Sequence, residues 1–430
     1  MPKLPLEGVR VIDMCVVWAG PFGSALLGDL GAEVIRVETV QYWDVNNRIP
    51  GNPEAMRERG ATDVAADATP WDTSPNANSV GRNKRSVTID LRRPEGQEIF
   101  HRLVGVSDIF IENNSPDFVE KASLTYDVLS KVNPKLIMCS MPAFGTFGPY
   151  SRFRAFGANM EAVVGHSLLR GYTDTDPTHN TGVFLADACG GATAAFAIMS
   201  ALYHRNKTGR GQFIDMSQAE NVSHTLSQAV MDYSMNGRVQ STMGNRDASR
   251  APQGVYRCQG DDAWLALSCG SDEEFAGLCG AMDRADLLTD ARFADSLSRY
   301  ANQDALDAEI TEWTQTQHNY RAFHRLQEHG VACSPVLSPA DVFADPHLQA
   351  RGIWQQLKHP AAGTHYYLKS PLSHMSKTPL SIYRPASTLG QDNEYVYKEL
   401  LGYSDAEYQG FIETHHAGTT FLDPRRPAGR

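Results

Sequence analysis

The sequence predicts an α/β protein built around a parallel sheet, and three observations lead to this fold class. Short apolar runs typical of buried strands alternate with helix-like segments through the first 140 residues. Gly and Pro residues mark the turns between these segments. The chain has 430 residues, 42% of them hydrophobic, so it can bury a large core and form about two or three domains.

The first 40 residues predict one strand–helix–strand unit. An apolar strand at 8–14 leads into a turn at 18–23, where Pro21 is well placed to open a helix. Gly31 is the expected end of that helix, and the next strand covers 34–37. Two apolar strands joined by so short a helix imply parallel neighbours in one sheet.

A less regular stretch at 41–82 interrupts this pattern. It is rich in Pro, Asn, Asp and Gly, and it predicts a long loop that is either a functional lid or a variable surface insertion. The elements expected after it are a strand at 85–91, a helix at 94–104, strands at 109–112 and 136–140, a helix from Asp187 to about 205, and a strand at 213–216.

Residues 225–345 have a mixed pattern of their own, which predicts a smaller α+β domain inserted into the large one. Its expected elements are a strand at 264–268 and helices near 272–282 and 303–328. The large domain is then expected to consist of residues 1–224 and 346–430, with a final helical segment at 393–401.

Charge and cysteine content narrow the class of protein. Acidic residues exceed basic ones by 50 to 39, a net charge of −11, which argues against nucleic acid or an anionic membrane as a partner. The seven cysteines are scattered, with no CxxC pair and no His/Cys spacing that suits zinc. We therefore expect free thiols, no metal site and a cytoplasmic location, in agreement with the absence of a signal-like apolar segment at the N-terminus.

Two common kinds of enzyme site fit poorly. Glu38 follows the GPFG turn at 20–23 at the interval of a ribose-binding acid, but this turn is GxxG and not GxGxxG, and a Pro and a Phe lie where pyrophosphate needs bare backbone. The sequence has no GxSxG elbow of a serine hydrolase. The neighbouring His415 and His416 are expected to be solvated.

Asp187 stands out because small residues follow it. A mostly apolar stretch at 182–186 precedes it, and Ala-Cys-Gly-Gly comes next at the start of the predicted helix. Asp is a favoured N-cap residue, so the spacing alone favours a capping role. The alternative is a catalytic carboxylate, because small neighbours let a bulky ligand approach and the free N–H groups of a first helical turn can stabilise an oxyanion.

Six segments from one end of the chain to near the other carry a family resemblance. They are LEGVRVIDMCVVWAGPFGSALLGDLGAEVIRVE at 6–38, GRNKRSVTIDLRRPEGQEIF at 81–100, SDIFIENNSP at 107–116, VNPKLIMCSMPAFGTFGPY at 132–150, GVFLADACGGATAAFAIMSALYHRNKTGRGQ at 182–212, and HGVACSPVLSPADVFADPHLQARG at 329–352. Together these segments resemble the class III CoA-transferases, the family of formyl-CoA transferase, crotonobetaine CoA-transferase and α-methylacyl-CoA racemase. Only 41–80 and the extreme C-terminus fall outside the resemblance.

The resemblance implies that Asp187 is the family's catalytic aspartate. In that scheme its carboxylate attacks a donor acyl-CoA, giving a mixed anhydride and CoA thiolate, and the thiolate then forms an aspartyl-CoA thioester. A free carboxylic acid reverses these steps and leaves as the new CoA ester. The CoA thioester is thus a substrate, and no prosthetic group is implied.

The resemblance also implies which residues bind CoA. By family position, Arg92 and Lys121 are expected to hold phosphate groups. The residues expected to line the path of the nucleotide and pantetheine are Trp18, Ala19, Ile89 and Asn113. Arg85 and Arg154 are further candidates for a phosphate contact.

Two departures from the family pattern bear on function. Many members read NFRPG where this chain has NNSPD at 113–117, so an arginine is missing there. Many members also carry a Tyr-Asp, Tyr-Glu or His-Asp pair where this chain has FGAN at 156–159. A racemase needs a second acid/base opposite the aspartate, and none is evident, although Glu161 could partly substitute.

Three functions are therefore compared. The favoured one is a CoA-transferase, with succinyl-CoA as a candidate donor because the FGAN variant resembles branches that use it. The alternatives are an acyl-CoA racemase or isomerase of the same family, and a non-catalytic subunit of a heteromeric transferase. The family's architecture implies a Rossmann-like large domain and an interlocked homodimer of two ring-like chains.

Overall fold

Six parallel strands form the central sheet of the protein, for which a computed structural model describes residues 3–44, 46–180, 182 and 184–423. The strands in chain order are β1 (Arg10–Met14), β2 (Glu33–Glu38), β3 (Lys84–Thr88), β4 (Ile109–Glu112), β5 (Ile137–Ser140), β6 (Gln212–Asp215), β7 (Gln253–Arg257), β8 (Trp264–Ser268), β9 (Ala332–Val336), β10 (Trp354–His359) and β11 (Gly363–Leu368). The central sheet has the order β3-β2-β1-β4-β5-β6. This is the strand order of doubly wound nucleotide-binding folds, in agreement with the predicted α/β class.

Helices connect and cover these strands. The α-helices are α1 (Ala19–Asp29), α2 (Pro53–Glu58), α3 (Pro75–Gly81), α4 (Pro94–Gly105), α5 (Pro116–Lys121), α6 (Tyr126–Val132), α7 (Gly157–Val163), α8 (His166–Leu169), α9 (Leu185–Thr208), α10 (Gln218–Ser223), α11 (Ser227–Asn236), α12 (Asp272–Ala281), α13 (Ser296–Ala301), α14 (Gln303–Thr314), α15 (Asn319–Glu328), α16 (Pro339–Ala344), α17 (Pro346–Ala350) and α18 (Asp405–Glu413). Short 3-10 segments lie at Pro177–His179, His224–Leu226 and Ala285–Leu288, and a π-helical segment lies at Tyr395–Leu400.

The apolar composition of the strands follows from their burial on both faces. β4 and β5 are buried at every position, and β1 at all but its first. One apolar cluster lies between the sheet and α4, and another between the sheet and the pair α1 and α9. Parallel strands covered on both faces read as nearly continuous apolar runs, which is the pattern that allowed their prediction.

Helix α9 packs tightly on α1 through glycines. A Cβ atom built on Gly191 would lie 2.5 Å from the carbonyl oxygen of Ala19, and one built on Gly23 would lie 2.9 Å from the carbonyl oxygen of Gly191. α9 has the length and apolar composition of a membrane-spanning helix, but half of its most apolar window is buried inside the protein. The buried half of this window packs in the core of the protein.

The described residues form two compact units. One comprises the described residues within 1–166, 182–231 and 352–430, and the other comprises those within 167–181 and 232–351. The predicted small domain was 225–345, so the second unit differs from it by the segment 167–181 and by a few residues at each end. Segment 167–181 has no periodic pattern of its own, and only tertiary contacts can assign it to a unit. β7, β8 and β9 form an antiparallel sheet within this second unit.

Three local expectations are corrected by the structure. Segment 41–82, predicted as a loop, contains α2 and α3. Helix α9 begins at Leu185, so Asp187 lies in its first turn and Phe184 occupies the N-cap position. His416, expected to be solvated, is 2% exposed and packs edge-on against Phe411. The α9 boundary differs because Phe184, at the N-cap, adopts a left-handed conformation.

Candidate active site

A cleft opens at the carboxyl ends of β1, β2, β3 and β4. β1 and β4 are neighbours in the sheet, and the chain proceeds outward from them in opposite directions, so the cleft lies at the switch point where α/β proteins bind ligands. The residues that line it are Met14, Cys15, Val16, Val37, Glu38, Thr39, Tyr42, Asp44, Asn47, Arg48, Ile89, Asp90, Leu91, Arg92, Asn114, Phe118 and Phe421.

Two of the predicted CoA-binding residues line this cleft. Ile89 is buried in its wall, and Arg92 stands at its rim with just over half of its side chain exposed. The Arg92 guanidinium donates to Asp90 at 2.9 Å and lies 5.8 Å from the ring centre of Tyr42. A cation held beside an aromatic ring at a strand end is suited to a nucleotide with phosphate groups.

The other predicted CoA-binding residues lie around the loop between β1 and α1, with one exception. Asn113 uses its side-chain amide to hold this loop, since it accepts from the Val16 N–H at 2.7 Å and donates to the Val16 carbonyl at 2.9 Å. Trp18 directly precedes α1 and Ala19 is its first residue. Lys121 is exposed at the end of α5 and is not among the residues that line the cleft. Binding of CoA by these residues stays a prediction.

The two further arginine candidates are placed differently from Arg92. Arg85 forms ion pairs with Glu33 at 3.1 Å and with Asp392 at 3.0 Å, and its guanidinium stacks on the ring of Tyr395. Arg154 is exposed. Neither lines the cleft, so the structure gives no support for a phosphate contact by either residue.

Asp187 is a buried carboxylate, only 6% exposed, at the point where α9 meets the start of α1. Burial raises the pKa of the Asp187 carboxyl above its ordinary value; the backbone amide of Ala19 faces the carboxylate and opposes this rise, while the charge of Glu161 adds to it. The raised pKa makes the ionised carboxylate more basic, and therefore a better nucleophile, than an exposed aspartate.

Backbone strain flanks this carboxylate on both sides. Val17, in the turn before α1, has φ of +66°, and Phe184, before α9, has φ of +54°. A β-branched residue in the left-handed region costs about 1–2 kcal/mol, and such strain clusters at functional sites. The Val17 N–H donates to the Asn47 side chain at 3.1 Å, which helps to hold this conformation.

Gly157 is a residue at this site whose structural role sequence reasoning missed. A Cβ atom built on Gly157 would lie 2.3 Å from Oδ2 of Asp187, so this carboxylate oxygen lies where a side chain would otherwise be. The sequence signal was present in the FGAN variant, which was interpreted only as the loss of an acid/base. Glu161, noted as a possible substitute, is 1% exposed and lies one helical turn further along α7.

The Glu38 carboxylate is already bonded within the protein, to a buried arginine and a serine. Both of its carboxylate oxygens accept from Arg48, at 2.8 and 2.9 Å, and Ser86 donates to it at 2.6 Å. Burial by itself would raise the pKa of Glu38, but the positive charges of Arg48 and Arg36 outweigh it and lower the pKa to about 2. The same Arg48 bonds anchor segment 41–80 to the sheet.

A second cavity, of about 540 Å³, borders Trp18 in the same unit and is mainly apolar. Trp18 stacks on Phe22 with ring centres 5.4 Å apart, and both rings form part of the wall. The other lining residues are Met56, Thr73, Pro75, Asn78, Ser79, Val80, Arg82, Trp354, Ala362, His365, Tyr366, Tyr367 and Leu368. Arg82 is bound to Asp29 at 2.7 Å, so its charge is already compensated.

A doubly wound sheet with a cleft at its switch point is typical of α/β proteins that bind nucleotide-containing ligands. The chain belongs to CoA-transferase family III, whose sequence pattern matches residues 6–393. It is therefore a class III CoA-transferase, and enzymes of this class use CoA thioesters as substrates.

Individual relatives agree with this family. A succinyl-CoA–L-malate CoA-transferase beta subunit from Chloroflexus aurantiacus is 33% identical, with 94% of this chain and 96% of the relative covered. The human succinyl-CoA:glutarate CoA-transferase is 30% identical, with 93% and 87% covered. The crystal structure of a CAIB/BAIF family protein from Brucella suis superimposes with a TM-score of 0.80 at 32% identity, covering 93% of this chain and all of that one.

Proposed function

We propose that this enzyme moves CoA from an acyl-CoA thioester, with succinyl-CoA as the donor, to a free carboxylic acid through covalent intermediates on Asp187. The observation that carries this proposal is the buried Asp187 carboxylate with the Ala19 amide facing it and its pKa raised by burial. Succinyl-CoA is chosen because relatives named for malate and for glutarate transfer both use it.

The proposed reaction conserves atoms and needs no water. An Asp187 oxygen attacks the donor thioester carbonyl and the C–S bond breaks. CoA thiolate departs, and the acyl group remains on Asp187 as a mixed anhydride. The thiolate attacks the Asp187 carboxyl carbon, which forms aspartyl-CoA and releases the donor acid. The acceptor carboxylate attacks this thioester, the C–S bond breaks, and CoA thiolate is expelled as an acceptor–Asp187 anhydride forms. The thiolate then attacks the acyl carbon of the acceptor, which forms the new CoA thioester and frees the Asp187 carboxylate.

The chain's own residues fit these steps. The Ala19 amide is aimed at the Asp187 carboxyl, where negative charge develops as its carbon is attacked. Arg92 and Ile89 would hold the nucleotide end of CoA in the cleft, with Trp18, Ala19 and Asn113 along its path and Lys121 at the phosphates. The apolar cavity beside Trp18 offers room for a hydrocarbon part of the acyl group.

The experiment that tests this function is a trapping assay. The protein is incubated with succinyl-CoA, quenched and digested, and the peptide containing Asp187 is searched for a CoA adduct that hydroxylamine removes. Asp187→Ala should abolish both the adduct and transfer to a panel of carboxylic acids. Cys189→Ala, which removes the half-buried free thiol two residues away, is the matched control and should retain both. Full transfer by Asp187→Ala would refute the proposal.

The racemase alternative is disfavoured by Gly157, which gives position 157 no acid or base to face Asp187. Incubation of a chiral 2-methylacyl-CoA in D₂O distinguishes it, since a racemase would introduce deuterium without any acceptor acid.

The non-catalytic subunit alternative draws on the Chloroflexus relatives that are named as alpha and beta subunits. The purified chain alone would then show no transfer.

The assembly and location belong to the same proposal. We expect an interlocked homodimer, and the exposed apolar side chains support an interface. We expect a location in the cytoplasm, and the seven free cysteines support a reducing compartment.

A further inference from the structure

Helix α7 lies against the first turn of α9, the turn that carries Asp187. Its first residue, Gly157, faces the carboxylate, and a Cβ atom there would approach Oδ2 of Asp187 to 2.3 Å. Real Cβ atoms do not approach other heavy atoms closer than 3.0 Å. Gly157 is not among the positive-φ residues, so its backbone would accept alanine. The glycine is therefore needed for the space that the carboxylate fills.

Glu161 lies on the same face of α7, four residues after Gly157. Its Oε1 atom accepts a hydrogen bond from the N–H of Ala186 at 3.3 Å, and its Oε2 atom lies 3.1 Å from Nδ1 of His166. Ala186 directly precedes Asp187, and its N–H is one of the first-turn donors that an α-helix leaves without an internal partner. Glu161 thus holds the backbone that carries the nucleophile.

We propose that α7 is a positioning platform for the nucleophile, in which Gly157 makes room for the Asp187 carboxylate and Glu161 fixes the first turn of α9. This inference rests on the proposed function of Asp187 and extends it to two residues that form no bond with the substrate. The platform confines the carboxylate between α7 and the Ala19 amide at the start of α1. A nucleophile confined in this way enters the reaction without first losing rotational freedom.

The charge of Glu161 gives the platform a second effect. Burial is the largest cause of the raised pKa of Asp187, and the negative charge of Glu161 raises it further. His166 faces Glu161 from the start of α8, and α1 presents the uncharged Ala19 amide to Asp187. Removing the Glu161 charge should therefore lower the pKa of Asp187 and weaken it as a nucleophile.

The first test is Gly157→Ala, with the exposed neighbour Ala158→Ser as matched control. The added methyl displaces the carboxylate, so kcat and the rate of aspartyl-CoA formation should fall about 100-fold, as expected for a displacement of about 1 Å. The KM for the CoA donor should stay within about threefold, since the cleft at the strand ends is untouched. The control should behave as the wild type.

The second test is Glu161→Gln, which keeps an acceptor for the Ala186 N–H and removes the charge. The acidic limb of the kcat/KM profile should move to lower pH and the plateau rate should fall, whereas loss of a purely structural contact would leave the limb in place. If Gly157→Ala fails to fold, the pH profile of Glu161→Gln still decides whether α7 positions Asp187.

The outcomes separate the two proposals. CoA transfer by the Asp187→Ala variant would refute the proposed function itself. An inactive Asp187→Ala together with a Gly157→Ala rate within threefold of wild type, or an unmoved acidic limb in Glu161→Gln, would overturn the platform alone.

Discussion

At the scale of single residues, two buried glutamates at the ends of β2 and β4, the strands on either side of β1, behave in opposite ways. Glu38 ends β2 beside Arg48, and its pKa is lowered to about 2 despite burial. Glu112 ends β4, where burial raises its pKa to about 7 although Ser140 and Asn114 donate hydrogen bonds to it. The two pKa values differ because Glu38 has a paired cation and Glu112 has only uncharged hydrogen-bond donors, which do not offset the loss of hydration.

Glu112 should make the stability of the protein depend on pH near neutrality. Its folded pKa of about 7 lies above its unfolded value, so its stabilising contribution is complete below about pH 4 and is lost as the pH rises through 7. Glu112→Gln imitates the protonated acid and should remove a loss on the order of 3 kcal/mol between pH 5 and pH 8. Urea unfolding at both pH values measures this difference.

The control for this prediction is Glu98→Gln on the exposed side of α4, which should leave the pH dependence unchanged. A Glu112→Gln protein with the same loss of stability between pH 5 and pH 8 as the wild type would contradict the raised pKa.

At the scale of elements, the contact between α1 and α9 sets the position of the turn that carries Asp187. Gly191→Ala would bring a Cβ atom to 2.5 Å from the Ala19 carbonyl oxygen and to 2.8 Å from the Phe22 ring. Because the first of these neighbours is backbone, the helices must separate, at about 1–3 kcal/mol. We expect a lower Tm and a slower transfer rate, since the Ala19 amide moves away from Asp187.

Gly190→Ala is a matched control in the same helix. A Cβ atom there meets its nearest neighbours at 3.5–3.6 Å, which is ordinary contact, and alanine has the higher helix propensity. This variant should keep or raise the Tm measured by differential scanning fluorimetry. Equal effects of the two substitutions would show that the helix contact is not decisive.

A buried arginine provides several of the contacts that hold segment 41–80. Arg48 is 3% exposed and bridges Glu38, Asp72 and the carbonyl of Ser387. Arg48→Met leaves Asp72 without its cation and Glu38 with Arg36 alone, and breaking such a buried pair costs about 3–5 kcal/mol. Limited proteolysis should then cut between 41 and 80, while the exposed Arg59→Met protein should resist as the wild type does. A resistant Arg48→Met protein would mean that other contacts anchor the segment.

At the scale of the whole molecule, exposed apolar side chains support the proposed dimer. Phe196 and Tyr203 on α9 are 72% and 64% exposed, and Val230 and Met231 on α11 are more than half exposed. Large apolar side chains exposed together mark interaction surfaces. Phe196→Glu should shift the protein toward monomers in sedimentation velocity at micromolar concentration, and Asn206→Glu on the same helix should not. A wild-type monomer at that concentration would contradict the proposed assembly.

How far the sequence could predict the molecule is visible in particular elements. The strand at 109–112 and the strand at 264–268 were predicted with their observed ends, because a buried strand bounded by turn residues is a local signal. Helix α9 was predicted to start at Asp187 but starts at Leu185, because Phe184 adopts a left-handed conformation that no propensity favours.

The sequence by itself determined the α/β alternation, the family and the identity of Asp187 as the candidate nucleophile, because these depend on local periodicity and on motifs. The tertiary structure decided that Asp187 lies inside the first turn of α9, that Arg48 anchors segment 41–80, and that Gly157 faces a carboxylate thirty positions later in the chain. Such contacts depend on the packing of separate elements, and no spacing within a single element encodes them.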